Sequence, residues 1–350
     1  MIIAFILNDD NESNGGARPL IAWHKASVGG RLISFDSRLK LQGDNTFQVS
    51  SIDEAAEIVE GSDYMVVDDL NAQLGIEIKK KTGVPLAIYC QILFGMHSLG
   101  IHLGKNSDFR SLKYLFSRYV PFRLLTHEYT NRLKKADLVL SNSFAMHYLL
   151  TFVYGIPDNA IIHPPVDLNI FKVDTSVPKD SISVFLGREE DWNDYKVIPV
   201  LADIAREKGL LLQFFGSNNI DHTLFEYSNG IVFNEFLSDK ELVRLYNRSY
   251  VTICIQQQEF FGYVPIESVS CGTPALTIYL HDSSLMNIDS QGKIIWTDRI
   301  NLKKDVLKIL ETEIDKGIFD RPEGFVKIFS STVSFSKLEE VLSHFRKDGT

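Results

Sequence analysis

Short apolar runs rich in β-branched residues alternate with stretches of helical period along almost the whole chain. Residues 1–7 form the first such run, and others are expected as strands near 31–35, 46–50, 64–67, 85–90, 136–143 and 160–163. A second series follows at 182–187, 210–215, 230–233, 250–255, 274–279 and 293–296. Runs that are apolar throughout, rather than every second residue, predict strands covered on both faces. Helix signals fall between them. Ser51 to Glu54 and Ser238 to Glu241 are capping boxes, and Gly61, Gly83 and Gly155 stand where helices are expected to stop. Two or three further helices are expected over 301–346. Strand and helix alternating in this way predict an α/β protein with parallel sheets.

A chain of 350 residues exceeds what one core commonly serves, so two domains are expected. The polar stretch 172–181, with Pro178, Lys179 and Asp180, reads as the linker between domains at 1–171 and 172–330. With 45% hydrophobic and 23% charged residues the composition is that of an ordinary globular protein. A net charge of −9 argues against a general nucleic-acid binder. The three cysteines, Cys90, Cys254 and Cys271, have no paired spacing and lie in or beside apolar runs, which predicts reduced, buried thiols, a cytoplasmic location and no zinc cluster. The N-terminal run has no basic flank, so it reads as a strand rather than a signal peptide. The uncharged stretch 87–104 holds Gln91, His97 and His102 and makes a poor membrane span.

Candidate chemistry concentrates at 259–274. Glu259 and Glu267 have seven residues between them, Gly262 follows the first, and Cys271-Gly-Thr-Pro274 follows the second. After the strand at 250–255 this reads as a turn, a short helix and a stop, with Pro265 tolerated in the first helical turn. Backbone N–H groups of Phe261, Gly262, Tyr263 and Val264 at the helix start would form an anion site. Two carboxylates beside an anion site suit a ligand with both phosphate and hydroxyl groups, such as a nucleotide sugar. The plain alternative is a surface helix with two solvated glutamates. Gly15-Gly16 after the first strand is a weaker signal, because the full G-x-G-x-x-G pattern is absent.

Segment 105–135 carries eight basic and two acidic residues, interleaved with Phe109, Tyr114, Phe116, Tyr119 and Phe122. Such a pattern suits an anionic membrane surface or a phosphorylated or lipid-linked acceptor, as well as a simple solvated helix. The acidic insert 189–194 contains Asp191 and Asp194 in D-x-x-D spacing, which is no evidence for a metal site.

The Glu-x7-Glu stretch with Gly272-Thr-Pro274 behind it, and Gly187-Arg188 with Lys196 before it, resembles retaining glycosyltransferases of family 4. The resemblance covers nearly the whole chain. It implies a GT-B fold, two Rossmann-like domains facing across a cleft, with a last helix at 331–350 packing back on the first domain. It also implies transfer of a sugar from a nucleotide-diphosphate donor to an acceptor hydroxyl of a glycan or glycolipid, with no cofactor and no metal. Arg188 and Lys196 would stabilise the leaving diphosphate, helped by Gly16. Glu267 would bind the ribose hydroxyls and Glu259 the donor sugar, while Gly216 would lie beneath the nucleotide and Phe236 in the loop that reads its base. Family members often place a histidine at the end of the fifth strand; here Gln91 stands there, with His97 six residues on, and either is a candidate contact to sugar or acceptor. Other readings of the same resemblance are a nucleotide-sugar epimerase, a sugar phosphorylase or a non-catalytic nucleotide-sugar-binding protein.

Overall fold

The computed structural model describes residues 1–8, 17–35, 43–91, 120–187, 193–216, 230–234, 237–256, 261–278, 290–316 and 321–348. Gly16, His97, Arg188, Phe236 and Glu259 lie outside the described residues, as does the 105–119 part of segment 105–135. The chain divides into two compact units, Met1–Pro165 with Ser331–Thr350, and Val166–Ser330.

The first unit is built on a parallel sheet. Its strands are β1 (Ile3–Leu7), β2 (Arg31–Ser34), β3 (Thr46–Gln48), β4 (Tyr64–Asp68), β5 (Leu86–Cys90), β6 (Leu138–Ser141) and β7 (Asn159–Ile161), ordered β3-β2-β1-β4-β5-β6-β7. Every residue of β1, β4 and β5 is buried, as the continuous apolar runs predict for strands with helices on both sides. The helices are α1 (Ala17–Ala26), α2 (Ile52–Val59), α3 (Ala72–Thr82), α4 (Val120–Leu133) and α5 (Phe144–Phe152). Ser51 caps α2 as predicted, but the Glu54 carboxylate reaches the N–H of Ser50 at 2.7 Å instead of closing the box on Ser51. Helix α3 ends on left-handed Gly83, a conformation glycine adopts without strain. The final long helix, Ser331–Asp348, belongs to this unit and places Phe335, Leu338 and Leu342 in one core with Phe5, Leu20 and Trp23. Trp23 Nε1 donates to Ser334 Oγ at 2.8 Å, and its ring meets Tyr89 edge-on at 4.8 Å.

The second unit repeats the scheme with β8 (Ser181–Phe185), β9 (Leu211–Phe215), β10 (Ile231–Asn234), β11 (Ser249–Cys254), β12 (Ala275–Ile278) and β13 (Ile294–Thr297). All are parallel, in the order β10-β9-β8-β11-β12-β13. Its helices are α6 (Ile198–Lys208), α7 (Asp239–Arg248), α8 (Tyr263–Ser270), α9 (Leu302–Lys316) and α10 (Glu323–Ile328). Helix α7 opens on the full capping box of Ser238 and Glu241. Numbered in the same chain order, the helix at Ser331–Asp348 is α11.

The chain enters the second unit at Val166, earlier than the boundary expected at 171/172. Packing explains the difference. Val166 and Phe171 are buried in the second unit's core beside Tyr246, Phe325 and Phe329, and Val166 N donates to Phe329 O at 2.7 Å. The polar composition of 172–181 marks exposed chain inside the unit rather than its edge.

Candidate functional site

In an open parallel sheet a ligand crevice forms outside the carboxyl ends of the strands, where the strand order reverses. In the second unit that point lies between β8, which leads away to β9 and β10, and β11, which leads to β12 and β13. The residues that follow these strands are therefore the ones to inspect.

Two glycines bring backbone to this edge. Gly216, at the end of β9, has φ +102°, and a Cβ placed on it would stand 2.5 Å from the carbonyl oxygen of Leu186. Gly187, after β8, would put a Cβ 2.5 Å from the side chain of Gln256, which follows β11. Only glycine fits either place without something shifting.

The loop after β8 is anchored on its far side. Asn193 is buried and makes a two-way amide bond with Gly187: Gly187 N donates to Asn193 Oδ1 at 2.8 Å, and Asn193 Nδ2 donates to Gly187 O at 2.9 Å. Asn193 also forms an antiparallel bridge with Gln256. Asp194 N donates to Ile255 O at 2.9 Å, and the Asp194 carboxylate, 1% exposed, takes a forked pair from Arg299 at 2.5 and 2.7 Å. Lys196 follows in a 3-10 turn, Tyr195–Val197, that runs into α6. Its side chain is exposed, whereas the next two residues, Val197 and Ile198, enter the core.

Helix α8 begins at Gly262, whose backbone is extended and which has no side chain to cover the first turn; Pro265 sits in that turn as predicted. Glu267, one turn further in, is buried. Tyr246 Oη, from α7, donates to Glu267 Oε2 at 3.0 Å. Burial first, and the Glu267 charge second, push the Tyr246 phenol well above its ordinary range, so it keeps its proton and its donor role. A buried carboxylate needs such a partner. The solvated-glutamate alternative is thereby excluded for Glu267.

Phe261 is buried, with its ring against Phe329 at 5.8 Å and Tyr263 at 5.3 Å. Its side chain belongs to the core, so a ligand would meet its backbone. Cys271 is buried and free, and burial raises its thiol above the ordinary range, which makes it a poor nucleophile.

Of the predicted residues, the second unit thus carries Lys196, Gly216, Phe261, Gly262, Tyr263 and Glu267. Gln91 lies in the first unit, directly after β5, and is half-buried with its N–H on Asp69 Oδ1 at 3.3 Å. Asp69 also accepts from Tyr129 Oη at 2.9 Å, and both are buried. Reasoning from sequence missed Asn193, Arg299 and Tyr246. Asn193 lay inside what read as an acidic insert, and the other two act over long separations in sequence.

Residues 169–311 match the model of the family described as Glycosyl transferases group 1. The match lies within the second unit. No curated relative matches the sequence. Solved structures share the fold over almost the entire chain. The Anabaena protein Alr3699/HepE, crystallised with UDP and glucose, has 14% identity and a TM-score of 0.72 over 97% of this chain and 99% of its own. Sucrose-phosphate synthase from Thermosynechococcus elongatus has 13% identity and a TM-score of 0.73 over 99% of both. The lipopolysaccharide outer core galactosyltransferase WaaB has 12% identity and a TM-score of 0.64 over 98% of this chain and 99% of its own. Two parallel α/β units with these likenesses make the fold GT-B. The match and the shared fold together make the protein a glycosyltransferase.

Proposed function

We propose that the protein is a retaining glycosyltransferase of the family 4 type, moving a sugar from a nucleotide-diphosphate donor to an acceptor hydroxyl. The observation that carries this reading is Glu267, buried and held by Tyr246 one turn inside a helix that starts at Gly262. This helix follows β11, at the reversal of strand order, and the same strand edge presents Gly216 and Lys196.

The roles follow from chemistry. A carboxylate fixed inside the first turns of a helix accepts hydrogen bonds from vicinal hydroxyls, here those of a ribose. The N–H groups of the first turn and the helix dipole favour the diphosphate. Lys196, with Arg188, stabilises the negative charge that grows on the diphosphate as the sugar leaves. Glu259 orients the donor sugar. No protein nucleophile is assigned: a phosphate oxygen of the leaving group takes the acceptor's proton on the face of departure. The reaction calls for no cofactor beyond the donor itself. A UDP-sugar is the first donor to test, since Alr3699/HepE is crystallised with UDP-glucose as well as with UDP. The acceptor class is a glycan or glycolipid, with segment 105–135 as the candidate contact to an anionic membrane. In the described part of that segment Tyr129 faces the core and Lys134 and Lys135 are exposed. No helix among the described residues is long and apolar enough to cross a membrane.

The test is sugar release and transfer from UDP-glucose, with GDP- and ADP-sugars in parallel, by wild type, Lys196→Ala and Glu267→Gln. Wild type should release sugar slowly to water and faster with an acceptor, and both variants should lose most of that activity at an unchanged fold. Retention is read from the anomeric configuration of the product by NMR. Full activity in either variant removes that residue from the mechanism.

A further inference from the structure

The anchor behind Lys196 has a function of its own to explain. Asn193 bonds Gly187, the last residue before Arg188 in the chain, with both ends of its side-chain amide, and its Nδ2 also donates to Tyr195 Oη at 3.4 Å. The next residue, Asp194, is tied through its backbone to Ile255 at the end of β11 and through its carboxylate to Arg299, between β13 and α9. Lys196 follows two residues later, in a turn closed by Val197 N on Asp194 O at 3.2 Å. The consequence is geometric. The exposed cation and the glycine backbone after β8 are held to each other, and to β11, by polar bonds: those between Asn193 and Gly187 are buried, and those from Arg299 reach a buried carboxylate. An exposed lysine has four rotatable side-chain bonds, so what a fold can fix is the place from which the chain projects. A forked Arg–carboxylate pair fixes orientation as well as distance.

We propose that Asn193 and the Asp194–Arg299 pair are positioning residues for the diphosphate part of the donor: they set where Lys196 projects relative to the backbone of Gly187. This rests on the donor-site reading above. It adds a reason for the acidic insert: the residues that end it are structural anchors of the cation.

The experiment separates the anchor from general stability. Among UDP, GDP and ADP, the diphosphate that raises the wild-type melting temperature most is taken forward with its phosphate-free nucleoside. Affinities for both are measured in wild type, Asn193→Ala and Arg299→Lys, alongside the melting temperature without ligand. Asn193→Ala should bind the diphosphate about 10- to 100-fold more weakly and the nucleoside within about twofold of wild type. Arg299→Lys, which keeps the charge and loses the fork, should show a smaller loss of the same kind. Equal weakening of diphosphate and nucleoside means a merely structural role and overturns the proposal, as does unchanged diphosphate binding. Should Asn193→Ala fail to fold, Arg299→Lys decides alone by the same criterion. If wild type binds none of the three diphosphates, the donor-site reading fails and the proposal falls with it.

Discussion

In the first unit, β4 and β5 run out into Asp68, Asp69, Cys90 and Gln91; in the second, β8 and β9 run out into Gly187 and Gly216. Both edges lie where parallel strands end, yet the strand ends named here carry acids in one unit and glycine backbone in the other. The acids of the first unit are served from within it. Asp68 accepts from Asn71 N at 3.0 Å and Asn71 Nδ2 at 2.9 Å, and Asp69 accepts from Tyr129 and Gln91. Burial, with the Asp69 charge behind it, pushes the Tyr129 phenol well above its ordinary range, so it stays a donor. Permanent partners of this kind make an interior network. At the opposite end of the second unit's sheet the half-buried Lys179, just before β8, donates to Ser249 O and Thr273 Oγ1. Among the described residues the sheet's carboxyl edge carries the buried Glu267, which accepts from Tyr246, and the exposed Lys196. A charge used for ligand binding has to be exposed or reachable, whereas a charge used for architecture has to be saturated.

The sharpest way to break this contrast is to remove the exposed cation. Lys196→Ala should lower sugar transfer by a factor of about 10² to 10³, on the scale seen when one stabilising group is lost from a charged transition state. The unfolding midpoint should stay within about 0.5 kcal/mol of wild type, as for an exposed substitution. Turnover assays and denaturant melts on the same preparation check both halves. Gly216→Ala attacks the bare backbone itself. Its φ of +102° and the Leu186 carbonyl at 2.5 Å from the new Cβ predict a loss of about 3 kcal/mol in stability. An alanine variant as stable as wild type would show that the edge does not need glycine there.

Much of this was legible before any coordinates. Parallel strands buried on both faces leave continuous apolar runs, so Ile3–Leu7, Leu86–Cys90 and Ser249–Cys254 could be placed within a residue or so. The helix stops at Gly83 and Gly155 and the cap at Ser238 have local causes and were legible for that reason. The partners of the site residues were not. Tyr246 and Glu267 are 21 residues apart, and Arg299 and Asp194 are 105 apart, so no short-range pattern pairs them. Composition misled at 172–181, where polar residues marked exposure rather than a boundary, and at Asp194, whose acid serves an arginine.

Lys179, half-buried just before β8, tests the saturated half of the contrast by pH. Burial lowers the Lys179 pKa to about 7. Unfolded, the residue titrates at the ordinary lysine value near 10.4. Between those values the unfolded chain holds a proton that the native state has released, so wild-type stability should rise with pH across that window. Below it both states are protonated and the cost of burying the charge is felt in full. Wild type minus Lys179→Met should therefore gain on the order of 2–3 kcal/mol from pH 7 to pH 10, read by chemical denaturation at each pH. A flat difference would mean that Lys179 stays charged in the native state. In the first unit, Tyr129→Phe removes one oxygen and leaves Asp69 a donor short. A loss of about 1–3 kcal/mol is expected, with donor affinity unchanged.

The smallest effect is reserved for a residue on neither edge. Ser238 accepts from Glu241 N at 3.4 Å, and the Glu241 carboxylate returns to Ser238 N at 2.7 Å, which starts the helix that carries Tyr246. Ser238→Ala should cost about 1 kcal/mol, as for other N-caps. The second consequence concerns the site. Tyr246 lies two turns into α7, and its ring is packed against Phe215 at 5.9 Å and Phe171 at 6.3 Å. If that packing fixes the phenol, fraying of the first turn leaves Glu267 held, and donor affinity in Ser238→Ala equals that of wild type at equal folded fraction. A drop in donor affinity beyond the loss of folded protein would mean that the cap, rather than the aromatic packing, keeps Tyr246 on Glu267, and the boundary between architecture and site would then have to be drawn inside α7.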